Sequence, residues 1–153
     1  MMKVRAAAER LLDKYQITQA PVDPESIAEK ECVDVRYVEF SGEAANEIHG
    51  FYDHEACKIY VNSADSVEEK LFTIAHELGH HILHQEYASG EKYVPRLKQH
   101  VDSLEENEAD AFAVQLLVPS RALEVSSLLY PSNELAKQFL VTEDVISKAQ
   151  CYG

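Results

Sequence analysis

Apolar residues first recur every three or four positions. Val4, Ala7, Ala8, Leu11 and Leu12 line one face of a helix predicted over 3–14. Asp23-Pro24 opens a second, short helix running through Ile27 and Ala28 to about residue 30. The aspartate caps free amides there, and proline fits the first helical position. The period then changes to two. Val33, Val35, Tyr37 and Glu39 alternate with Asp34, Arg36, Val38 and Phe40, a strand pattern, and 48–52 and 58–61 read as two more strands around a turn at Asp53-His54-Glu55-Ala56. Three short strands predict a small antiparallel sheet that must lean on helices to be stable.

The helical period returns at Ser66, where Ser66-Val-Glu-Glu69 has the form of a capping box, with the hydroxyl and Glu69 each satisfying a free amide. This helix is predicted over 66–84, with Val67, Leu71, Ile74, Leu78 and Ile82 in one stripe and Phe72, Ala75, Gly79 and Leu83 widening it. A further helix spans 103–118 and stops before Pro119, and shorter ones follow near 120–129, 133–139 and 143–150. Residues 84–102, with Gly90 and Pro95, read as an irregular connection long enough to serve as a lid or binding loop. The expectation is one α+β domain over 1–153, a helix-rich core over 1–118 followed by a helical subregion over 119–153.

The 66–84 helix carries His76-Glu77-Leu78-Gly79-His80. Residues four apart share a helical face, so two imidazoles can grip one ion from the same side. Glu77 is turned about 100° away and can act as a base beside the ion without ligating it. Zn2+ suits this set, because it polarises a carbonyl and acidifies water for hydrolysis. Gly79, a poor helix former, points either to close packing beside the histidines or to room for something to approach them.

A catalytic zinc needs a third protein ligand and an open position. Glu106 shares a helical stripe with Asp110, Ala113 and Leu117, and is the chosen third ligand, with Asp110 one turn on to orient a ligand. Glu105 lies close enough to the buried face to stay open as an alternative. Glu108 is expected to project away, into solvent. Ser103 with Glu106 and Asp102 with Glu105 both have capping-box spacing, so the cap does not require Glu106. His84 lies about 12 Å along the axis from His76, too far for an easily shared ion. His81 and His84 are therefore expected to be exposed or hydrogen-bonded. Tyr93, His100 and His49 are unranked candidates for stabilising a developing oxyanion.

With 14 basic and 27 acidic residues, the net charge is −13. Such a surface repels phosphate backbones and anionic membranes, and the basic residues are scattered, so neither nucleic acid nor membrane is expected as a partner. Three cysteines without a CxxC pair argue against a disulfide framework and for a reducing compartment, the cytoplasm, with the thiols buried or half-buried. No segment is apolar enough to span a membrane.

The chain resembles the ImmA/IrrE family of zinc metallopeptidases through Ile59-Tyr-Val-Asn62, Phe72-Thr-Ile-Ala-His-Glu-Leu-Gly-His80, Leu83-His84, Glu106 with Ala109-Asp110 and Phe112-Ala113, Leu116-Leu-Val-Pro119, Leu135-Ala-Lys-Gln-Phe139 and Val141-Thr142. Val118 stands where family members usually have methionine. The resemblance implies a zincin-like fold with a three-stranded sheet beside the active-site helix. It implies zinc on His76, His80 and Glu106, with Glu77 as general base. It also implies action on a helix-turn-helix repressor encoded nearby, in a mobile element, stress or toxin–antitoxin system. The expected function is a zinc endopeptidase cleaving such a regulator. The alternative is a binding module that sequesters a repressor or toxin without proteolysis. Residues 135–146 resemble half of a helix-turn-helix, but Glu143 and Asp144 suit phosphate poorly, which favours a packed helical pair. Gly50 is expected either to mark an edge strand that accepts a peptide or to mark a bulge or turn.

Overall fold

The computed structural model describes residues 1–152. Gly153, the last residue of the predicted domain, lies outside the described residues. In chain order the elements are α1 (Met2–Lys14), α2 (Pro24–Lys30), β1 (Asp34–Val38), a 3-10 turn (Gly42–Asn46), β2 (Ile48–Asp53), β3 (Lys58–Asn62), α3 (Val67–Leu83), α4 (Gln85–Ala88), β4 (Arg96–Leu97), α5 (Leu104–Leu117), α6 (Ser120–Ser127), α7 (Ser132–Phe139) and α8 (Glu143–Tyr152). The class is α+β, as expected.

The sheet departs from the expected one. It has four strands in the order β1-β3-β2-β4, and it is mixed. β1 runs parallel to β3, with Val35 opposite Ile59, while β2 is antiparallel to both β3 and β4. The chain leaves β1, passes through the 3-10 turn and enters β2 one place away, so the β2–β3 hairpin folds β3 into the gap. β3 is thereby central, and its Ile59 and Val61 are fully buried. Alternation along a strand records which face is buried but carries nothing about which strand lies beside which.

β2 is not a free edge, because β4 pairs with it at Ile48 and Gly50 through a register shift. Of the two readings of Gly50, the irregular one is seen. A Cβ there would lie 2.3 Å from the Tyr60 carbonyl oxygen and 2.6 Å from Thr73 Cγ2, so glycine lets the sheet lie directly against α3.

α3 is the centre of the molecule, and every residue from Phe72 to His80 is buried. A helix covered on all sides carries apolar residues all round rather than in a stripe. Val67, expected on the buried stripe, is exposed in the first turn. Ser66 Oγ accepts from the Glu69 amide at 3.2 Å, but the Glu69 carboxylate accepts from Arg96 at 3.0 Å, so only half of the predicted capping box forms. α5 packs along α3, with Phe112 against Gly79: a Cβ on that glycine would come within 3.0 Å of the ring. α8 lies against α5 and α7, burying Val145, Ile146 and Ala149, so the half-motif is a packed helical pair. The hydrophobic cluster is continuous from Val4 in α1 to Ala149 in α8. All three cysteines are free. Cys32 and Cys151 are exposed rather than buried, because each falls in or near an element end on the outer surface. Among the described residues, no helix is long and apolar enough to cross a membrane.

Candidate metal centre

α3 places His76 and His80 one turn apart, their ring centroids 4.9 Å from each other. α5 brings Glu106 across from them. Its Oε1 lies 3.1 Å from His76 Nε2 and its Oε2 lies 3.0 Å from His80 Nε2. The ligand atoms of His76, His80 and Glu106 all lie within 4.8 Å of one another. Ser103 caps α5 by accepting from the Glu106 amide at 3.2 Å. The backbone of Glu106 thus serves the cap while its side chain faces the histidines, so the two roles weighed for this residue coexist.

Two nitrogens and one carboxylate oxygen form a donor set that suits zinc. Glu77 Oε2 is buried without a partner, and His80 Nε2, although 3.0 Å from Glu106 Oε2, makes no aligned hydrogen bond, which is costly unless something outside the protein engages them. The residues therefore fit a bound divalent ion. Glu77 Oε2 lies 3.8 Å from His76 Nε2, beside the three groups and outside them.

Each imidazole is propped from behind. His76 Nδ1 lies 2.7 Å from Asp110 Oδ1, where Asp110 was expected. His80 Nδ1 lies 3.0 Å from His84 Nδ1, and His84 Nε2 lies 2.9 Å from Glu108 Oε1. Glu108 is thus half-buried and paired rather than solvated. The chain turns off the helix at His84 (φ −132°, ψ 46°), which carries that imidazole to the glutamate. The spacing of His80 and His84, four residues, was the signal that could have found the first contact.

The segment expected to be irregular carries α4 and β4, and it supplies two tyrosines, Tyr87 from α4 and Tyr93 from the stretch before β4. Tyr87 OH donates to Glu106 Oε2 at 2.7 Å, and Tyr93 OH donates to Glu77 Oε1 at 2.5 Å while accepting from the Tyr52 amide at 2.6 Å. Of the three oxyanion candidates, only Tyr93 touches the proposed base. His49 is paired with Asp65 at 2.7 Å, and His100 sits on the outer side of Asp110 at 3.3 Å. Arg96 fastens the segment to α3 through Thr73 Oγ1 at 2.9 Å and through Glu69. His81 is half-buried against the Tyr52 hydroxyl at 2.7 Å.

Burial pushes the His76 imidazole down, but its hydrogen bonds to the Asp110 and Glu106 carboxylates outweigh it and hold the ring up at about 9. Burial would raise Glu106 and Asp110. The histidines instead hold both below the usual carboxylate range. Burial pushes Glu77 up, against the pull of His76, His80 and Tyr93. Burial and the Glu77 charge keep the Tyr93 phenol protonated. A groove of about 570 Å3 reaches His76, Glu106 and Asp110 between the 95–101 segment and α8.

Two helices of an α+β domain that hold a buried His-His-Glu set, with a further glutamate beside it, define a metallopeptidase-like protein. The chain belongs to the Peptidase_M78 family, described as the IrrE N-terminal-like domain, whose model matches residues 30–149. It is 33% identical over 118 residues to the uncharacterized immunity region protein 2 of Bacillus phage phi105, covering 76% of this chain and 68% of the relative. Its fold is similar to that of a Mycobacterium tuberculosis transcriptional regulator, with a TM-score of 0.69 at 16% identity over 95% of this chain. The chain spans 45% of that longer structure.

Proposed function

We propose that the chain is a zinc-dependent endopeptidase that cleaves a protein regulator. The regulator proposed is a helix-turn-helix repressor encoded nearby, in a mobile element, stress or toxin–antitoxin setting. The observation that carries this reading is the meeting of His76, His80 and Glu106 from two helices, with Glu77 beside them. The immunity-region relative and the peptidase family support the regulatory setting. His76, His80 and Glu106 would hold the ion, and Asp110 would orient His76. Zinc, when bound there, supplies Lewis acidity that polarises a peptide carbonyl and acidifies water.

Glu77 serves as the general base, taking a proton from water and delivering it to the leaving amine. Its buried site favours the protonated form once the proton has arrived. Tyr93 fixes one Glu77 oxygen, leaving Oε2 for the proton. The free thiols suit the cytoplasm, where such a repressor would be met.

The test is incubation of the neighbouring repressor with the zinc-loaded protein and with Glu77→Gln. Wild type should cleave the repressor. The variant should bind zinc equally well and cleave at least about a hundredfold more slowly. Relief of repression that survives in Glu77→Gln would instead identify a sequestering module.

A further inference from the structure

Resting on the zinc reading above, we infer that His84 and Glu108 form a single directional hydrogen-bond chain that positions His80 as a metal ligand. A neutral imidazole has one N–H and one lone pair. When His80 gives its Nε2 lone pair to a metal, its proton must sit on Nδ1. That nitrogen lies 3.0 Å from His84 Nδ1, which must then present a lone pair and accept. The His84 proton is thereby confined to Nε2, which donates to Glu108 Oε1 at 2.9 Å. Every position in the chain has one allowed protonation pattern, and it ends on a carboxylate, the acceptor that gives the strongest hydrogen bond.

The geometry separates this role from two others. His84 meets the side of the His80 ring opposite Nε2, so it is not a rival ligand. His84 is buried, and its two ring nitrogens have one partner each. The two ligand imidazoles are thus supported differently. His76 donates directly to Asp110 Oδ1 at 2.7 Å, whereas His80 reaches its carboxylate through a second histidine. Glu106 and Glu108, two residues apart on α5, serve opposite ends of the same imidazole: Glu106 stands at Nε2 and Glu108 ends the chain that begins at Nδ1.

The experiment measures zinc affinity by competition with a chromophoric chelator, in wild type, His84→Phe, His84→Gln, Glu108→Leu and the double variant His84→Phe/Glu108→Leu. Folding of each is checked by circular dichroism. Loss of such a partner weakens metal binding by roughly 10–100-fold, so His84→Phe and Glu108→Leu should each fall in that range. The double variant should lose no more than the worse single one, because both break one chain. His84→Gln offers an amide oxygen to His80 and an N–H to Glu108, and should recover most of the affinity. In zinc-loaded wild type, long-range proton–nitrogen spectra should place the His84 proton on Nε2.

A folded His84→Phe or Glu108→Leu with wild-type affinity overturns the inference, as does a His84 proton on Nδ1. If either variant does not fold, His84→Gln and the wild-type spectrum still decide. Wild type that binds no zinc would instead overturn the zinc reading itself, a result distinct from stoichiometric zinc held equally well by all variants.

Discussion

Taking the metal-free protein from mildly acidic to alkaline pH should destabilise it, and zinc should remove the effect. In the metal-free fold His76 is buried between Asp110 and Glu106, which hold its imidazole at about 9, against an ordinary 6.5. A group whose folded value is raised stabilises fully below its unfolded value, here 6.5, and that contribution disappears as the pH rises through about 9. At about 1.4 kcal/mol for each tenfold change in proton affinity, the contribution is about 3 kcal/mol. For a chain of this size that lowers the melting temperature by roughly 6–12 °C. Zinc takes the place of the His76 proton, so the zinc-loaded protein should lack this loss. Self-repulsion from the net charge of −13 grows with pH in both forms, so the difference between the two curves reports the ligand site, His76 together with the raised Glu77 beside it. The acid limb has the opposite sign: the depressed Glu106 and Asp110 stabilise above their unfolded values and lose that contribution as pH falls through their folded ones. Thermal melts followed by circular dichroism from about pH 6 to about pH 10, with and without saturating zinc, measure the effect. A metal-free melting temperature that stays level or rises across this window, or an equal fall with zinc bound, would refute the reasoning.

Other residues give sharper local tests. Gly50→Ala drives a Cβ into the Tyr60 carbonyl and the buried Thr73 methyl, and should cost about 2–3 kcal/mol even after the small propensity gain of alanine in a strand. Its melting temperature should fall by roughly 4–12 °C, and an unchanged or higher one would contradict the close approach of β2 and α3. Tyr93→Phe strands Glu77 Oε1 and the Tyr52 amide, and should cost about 1–3 kcal/mol in a denaturant titration. It should also slow repressor cleavage by roughly 10–100-fold through a loosened base. Faster cleavage would mean that Tyr93 obstructs Glu77 rather than orienting it.

The site was legible to the extent that it is helical. His76, His80, Glu106 and Asp110 sit at spacings of four on two strongly periodic segments, and such spacings fix which residues share a face without any knowledge of the fold. The companion contacts come from chain that has no period. Tyr87 and Tyr93 reach Glu106 and Glu77 from the segment that begins at Gln85, and Arg96 draws Glu69 away from its capping role. Glu108 was misplaced because helical phase says which way a residue points but not that the chain ahead of it bends at His84 to meet it. The parallel β1–β3 pairing was illegible for a related reason. β3 alternates, whereas β1 loses the expected alternation at Tyr37, which is exposed, and the strand order depends on how the β2–β3 hairpin folds back, a long-range choice with no local signature.

The central claim is that one zinc ion is held by His76, His80 and Glu106. X-ray absorption on the stoichiometrically loaded protein tests it most directly. A first shell of nitrogen and oxygen alone, with the outer-shell scattering of two imidazoles, is the predicted spectrum, and Glu106→Ala should lose most of the bound metal. Sulfur in the first shell, or zinc retained undiminished without Glu106, would contradict it.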